Sequence, residues 1–208
     1  MSTSMTRTRS LSPFFIIVIF ASAIVLVVNA VKRAGIALGP VTQLAAPLAQ
    51  LLAIGLVVGT FAATPAVRGR LGSIGAVLCA ASLVLLVGVE FIINVVFPYL
   101  PPETISQLRS GPLEIAFTVS SGSFLLGVLV FFTALWRVAG SPRFAILLAV
   151  ASSVTIALRT AFPEAVLQSG LGGLVGAAVM LAFWLSAVHR RSPSSAGRPG
   201  DRSSSTAN

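Results

Sequence analysis

Histidine, cysteine and lysine each occur once in this chain. The lone histidine, His189, stands at the edge of a basic tail. Bis-histidine haem ligation, a His-Glu-x-x-His zinc site and a Ser-His-Asp triad within the apolar region are thereby excluded. The lone cysteine, Cys79, lies inside an apolar run. No disulfide can form within the chain, and no cysteine-built metal or cluster site. The sequence therefore calls for no metal and no cofactor. Charge is scarce as well: 9% of residues are charged, against roughly 25% in a soluble domain. A soluble globular enzyme is excluded on that ground.

Apolar residues fill the space. They make up 56% of the 208 residues, close to the ~120 that six membrane-crossing helices of ~20 residues would use. Breaks at charge, Pro or Gly divide the chain into six apolar runs, at about 12–31, 41–62, 74–97, 112–136, 144–161 and 165–188. The expected fold class is all-α: a polytopic transmembrane bundle over residues 12–188, after a short basic segment 1–11. The segment 189–208 is rich in Ser, Pro, Gly and Arg and has little apolar surface to bury, so it is expected to be disordered.

Net charge is +9. On a soluble domain that would suggest nucleic acid. Here the basic residues sit between the apolar runs, so they read as topology signals and lipid-headgroup contacts, not as a nucleic-acid surface. Alternate connections divide them unevenly. Arg7, Arg9, Arg68, Arg70, Arg137, Arg143, Arg190, Arg191, Arg198 and Arg202 fall on one side. Lys32, Arg33, Arg109 and Arg159 fall on the other. The positive-inside rule makes the richer side cytoplasmic and puts both termini there. A rival reading of the first run is a signal peptide, with Arg7 and Arg9 ahead of an apolar stretch and Val28-Asn29-Ala30 as its cleavage site. It would leave five spans without changing the orientation of the rest. Arg outnumbers Lys 13 to 1 beside abundant Ala, Gly and Val, a composition that suggests a GC-rich bacterial genome and an inner-membrane location.

Small residues should pack the helices, because lipid tails compete equally for every apolar face. Gly55 with Gly59, and Gly172 with Gly176, stand four apart on one stripe in the second and sixth runs. Pro112 with Glu114 and Pro163 with Glu164 open the fourth and sixth runs. Proline suits a first helical turn, and an acidic side chain there meets the positive end of the helix.

Glu90 fits none of these roles. It lies inside an apolar run, about 7 Å past the midpoint. An ionisable group there costs on the order of 2.5–3.5 kcal/mol on insertion scales, and such groups usually face the bundle interior. Asn94, four residues on, shares its helix face. By orientation, Asn29, Gln50, Glu90, Asn94 and Arg159 fall in the outer half of the membrane, where an outward-facing polar cavity is expected. Glu90 and Arg159 are candidates for an ion pair within it. Alternatively, Glu90 pairs only to fix helix register, and Arg159 reaches the outer headgroups.

An apolar span containing Glu90-Phe91 is followed by Pro98, then Gly111-Pro112-Leu113, Gly127, Arg137 and the loop Ser141-Pro142-Arg143-Phe144-Ala145. Over about residues 45–190 this pattern resembles small uncharacterised multi-helix integral membrane proteins of actinobacteria. The resemblance implies a bacterial inner-membrane location and carries over no activity and no catalytic residue. Three function classes remain. One is a non-enzymatic membrane protein that binds a small ligand or lipid, or serves as a subunit beside other membrane proteins. Another is a small proton-coupled transporter using Glu90. The third is an intramembrane enzyme acting on lipid, which would need a second catalytic group near Glu90. The sequence shows no carboxylate pair to supply it.

Overall fold

In a computed structural model of the protein, the described residues are 43–158 and 162–191, with Ile17, Ala21, Ile24, Val25, Val27, Val28 and Val31. The expected first span lies outside the described residues apart from those seven, each of which is helical. Among the described residues every regular element is helical. Helix α1 spans Ala45–Ala63, α2 Arg70–Phe91, α3 Pro102–Arg109, α4 Pro112–Trp136, α5 Arg143–Ala157 and α6 Glu164–Arg191. Four of the helical stretches are long and apolar enough to cross a membrane: Ala45–Ala63, Arg70–Tyr99, Leu113–Trp136 and Ala165–Val188.

Local chemistry sets the boundaries. Thr64 precedes Pro65, and a residue before proline is pushed away from helical geometry. Helix α1 accordingly stops at Ala63, and the Arg68 guanidinium donates to the Ala62 carbonyl near its end. Between α4 and α5 the chain turns at Gly140, whose φ of 73° suits a residue without a Cβ. The Trp184 indole donates to the Gly140 carbonyl at 2.8 Å, which ties α6 to that turn. At the opposite end, Pro102 opens α3, with Glu103 in its first turn and Arg109 in its last, as the helix dipole favours. The Arg109 guanidinium lies 5.3 Å from the centre of the buried Phe97 ring, within cation–π range.

Several boundaries correct the sequence reading. Helix α3 falls between the expected third and fourth runs, to which no element was assigned. The expected fifth span ends earlier: α5 has 15 residues, about 22 Å of helix, short of a ~30 Å hydrocarbon core. Residues 159–161 lie outside the described residues. Helix α6 runs through His189 and Arg190 to Arg191, so the first three residues of the expected disordered tail are helical. The rest of that tail lies outside the described residues.

The closest packing joins α2 to α4, followed by α1 to α2 and α5 to α6. On α2 the buried positions include Gly72, Gly75, Cys79, Ser82, Leu86 and Val89, at alternating three- and four-residue steps. On α4 the steps are four and three, through Ser120, Phe124, Gly127, Phe131 and Ala134. That repeat marks a seam of left-handed helix packing. The two helices touch backbone to backbone. A methyl added at Gly75 would stand 2.6 Å from the Phe131 nitrogen, and one at Gly127 would stand 2.7 Å from the Cys79 Cα.

The other faces point outward and are apolar. Val77 is 70% exposed and Ile115 is 73% exposed. Ile74, Leu126, Phe144 and Phe183 are exposed too. Such extended apolar surface demands a partner other than water. Together with the four long apolar helices, it is the surface of a membrane protein.

Candidate functional site

Glu90 sits in the last turn of α2 and is 6% exposed. It follows Ala76 and Leu83 at seven-residue intervals, and all three are buried beside the α2 seam. The helix then changes form. Residues Ile92–Val96 make a π-helical stretch, and Phe97–Tyr99 a 3-10 turn. Asn94 lies in the π stretch. Its amide donates to the Glu90 backbone carbonyl at 2.8 Å and to the carboxylate Oε2 at 3.0 Å. One side chain thus satisfies both a carbonyl at the helix irregularity and a carboxylate oxygen, as buried polar groups require.

Glu90 also lines a cavity of about 120 Å³ at the centre of the bundle. Helices α1, α2, α4, α5 and α6 all contribute to its wall. The wall is mostly apolar, including Leu83, Phe124, Val128, Phe132 and Leu181, and its polar members are Gln50, Glu90, Ser153 and the Cys79 thiol. An apolar pocket with a few convergent polar groups is the usual form of a small-molecule site. Among the described residues no group of three or more His, Cys, Asp or Glu comes together to hold a metal ion.

The polar lining is graded along the bundle. Twenty residues separate Glu90 from Arg70, about 30 Å of helix. Ser153 is ten residues from Arg143, about 15 Å. Arg68, Arg70, Arg137 and Arg143 lie at or beside helix ends at one end of the bundle, and Glu90 is toward the other. Thr60 and Thr64 interrupt the apolar character of the arginine end. They are 1% and 6% exposed, and their hydroxyls have no hydrogen-bond partner among the described residues.

Of the residues the sequence singled out, Glu90 and Gln50 line this cavity. Asn94 is half-buried and reaches Glu90 without appearing in the cavity wall. Asn29 and Arg159 lie outside the described residues, and with them the expected Glu90–Arg159 pair. Sequence reasoning missed Ser153. Its signal was its place one turn from Ala149 and seven residues from Ile146, all three buried on α5.

Of the packing glycines, Gly172 departs from the expected seam. Gly172 is exposed, and a methyl there would meet nothing. Gly176 faces Leu148 of α5. The tightest approach of α6 to α5 is made by Gly170 against the Thr155 hydroxyl and Gly173 against the Ser152 hydroxyl. Gly59 is buried in α1 and Gly55 half-buried.

Comparison of the chain with known protein families, curated proteins and solved structures finds no match.

Proposed function

We propose that this protein is a non-enzymatic integral membrane protein that holds a small ligand or lipid in its central cavity, with Glu90 as the polar anchor. In this reading the chain crosses a bacterial plasma membrane six times, both termini are cytoplasmic, and the Glu90 end of the cavity faces outward. The observation that carries it is a buried carboxylate in the wall of a largely apolar cavity. A carboxylate at that depth is costly, and a ligand that engages it gives it a use. Gln50 adds a second polar group toward the same end, and lipids cover the apolar outer faces. Other membrane subunits are compatible with the same surface.

A second reading, a proton-coupled transporter using Glu90, draws support from one feature. The π-helical stretch adjoins Glu90. Such irregular turns occur frequently at functional sites, and broken helices near the binding site are common in transporters.

The deciding experiment is structure determination from native membranes, wild type beside Glu90→Gln. The ligand reading expects non-protein density in the wild-type cavity and its loss in the variant, with stability changed by no more than about 1 kcal/mol. An empty cavity in both proteins would overturn it. Loss of proton-coupled transport in Glu90→Gln would favour the transporter.

A further inference from the structure

The central cavity is long and narrow. Its wall runs from Ala46 to Val57 on α1, from Cys79 to Glu90 on α2 and from Leu167 to Leu181 on α6. Those stretches measure about 16 to 21 Å along their helices. Gly127 lies against Cys79 and Phe131 against Gly75, so Val128 and Phe132 carry the wall past Cys79, away from Glu90. At the ~10–15 Å³ that one water needs, a volume of about 120 Å³ seats roughly ten water-sized groups, one file along that length. Small side chains make the room: Ala46, Ala49 and Ala53 on α1, Ala177 and Ala178 on α6. Five helices surround the space. Four of their junctions are packed, α1 with α2, α2 with α4, α4 with α5 and α5 with α6, whereas α6 and α1 have little contact. Among the described residues the space is therefore open at its side, between α1 and α6.

An apolar void of that shape offers water few partners. In a membrane, the medium at its side opening is hydrocarbon chain. The chains of one leaflet reach about 15 Å, half of the ~30 Å core, so the space takes a whole extended chain and has no width for a second. From length, width and side opening we infer that the cavity binds one acyl chain of a membrane phospholipid. The chain enters between α1 and α6, its ester end toward Gln50 and Glu90 and its terminal methyl toward Phe132. The inference rests on the ligand reading of this cavity and selects lipid as the occupant. The fit depends on length and width, not on a free charge at Glu90, which Asn94 engages. A molecule of one ring would leave most of the length empty. At the usual cost of empty core volume, filling about 120 Å³ corresponds to about a hundredfold in affinity, and filling half of it to about tenfold.

The test reconstitutes the full chain in nanodiscs of palmitoyl-oleoyl phosphatidylglycerol, transfers it to detergent, and identifies what stays bound by native mass spectrometry. One phospholipid is expected to remain on each wild-type chain. Ala53→Leu, which narrows the space, should lower that occupancy about tenfold or more. Val77→Phe, on a face that is 70% exposed, should leave it unchanged. Lysophospholipids of one headgroup then compete for the site, and the palmitoyl form should displace the bound lipid about tenfold better than the octanoyl form. This wild-type series decides the matter even if Ala53→Leu does not fold. Equal displacement by the two chain lengths would overturn the acyl-chain assignment. So would a retained free fatty acid or other small molecule that Ala53→Leu expels, while leaving a ligand-holding cavity. Equal loss of lipid in Ala53→Leu and Val77→Phe would show surface lipid and overturn it too. Nothing retained by the wild type, with Ala53→Leu equal to it in unfolding temperature, would overturn both the acyl-chain assignment and the ligand reading.

Discussion

Helices α2 and α4 meet through glycine, and so do α5 and α6, but the two contacts differ in what lies opposite. Gly75 and Gly127 face the partner backbone, at Phe131 and Cys79. Gly170 and Gly173 face the hydroxyls of Thr155 and Ser152. A backbone cannot move without moving its helix. A hydroxyl can rotate or be removed by substitution. The first contact is therefore rigid and the second adaptable, although both are small-residue seams of the kind that holds membrane helices together. The rigid one supports the wall from which Cys79, Leu83 and Glu90 reach the cavity.

The sharpest way to break the comparison is at the rigid contact. Gly127→Val inserts a branched side chain against the Cys79 backbone and should destabilise the bundle by roughly 3 kcal/mol, the upper end of usual overpacking costs. Loss of monodisperse protein and a lower unfolding temperature would register it; an unchanged unfolding temperature would show that α2 and α4 are not so closely joined. At the adaptable contact Gly173→Ala should cost about 1 kcal/mol. Adding Ser152→Ala removes the opposing hydroxyl, so the double variant should recover at least ~0.5 kcal/mol relative to the sum of the singles. A double-mutant cycle with no coupling would refute the contact. The smallest effect belongs to Gly172→Ala. It faces open space, and alanine favours the helix, so stability should stay level or rise by at most about 1 kcal/mol. Clear destabilisation there would restore Gly172 to the packing seam.

These contrasts also show what the sequence can reveal. The long helices were legible because lipid and protein interior both demand apolar side chains over some twenty residues. The same fact hides the inward face. Where both sides of a helix are apolar, hydrophobic periodicity says little about which side meets a neighbour. Spacing favoured Gly172 and Gly176, four apart, over Gly170 and Gly173, three apart. The alternating three- and four-residue steps through Gly72, Gly75, Cys79 and Ser82 were the better signal. Glu90 stood out because a charge in an apolar run requires an explanation, and Asn94 followed from helical spacing. Ser153 did not stand out, because a serine in a helix often satisfies itself locally. Helix α3 was hidden by its polar composition, since a short helix without an apolar face leaves no signal in a search for apolar runs.

The π-helical stretch after Glu90 constrains how the gene can change. A π turn accommodates an extra residue within a helix, so the residues beyond it are rotated by about 100° from their places in an unbroken α-helix. Phe97, with Arg109 across its ring, lies just past that rotation. Deleting one codon between Ile92 and Val96 would barely alter composition, hydropathy or length. Yet it would turn Phe97 to another side of the helix. Lineages related to this protein are therefore expected to tolerate substitution in this stretch far more readily than the loss of a single residue.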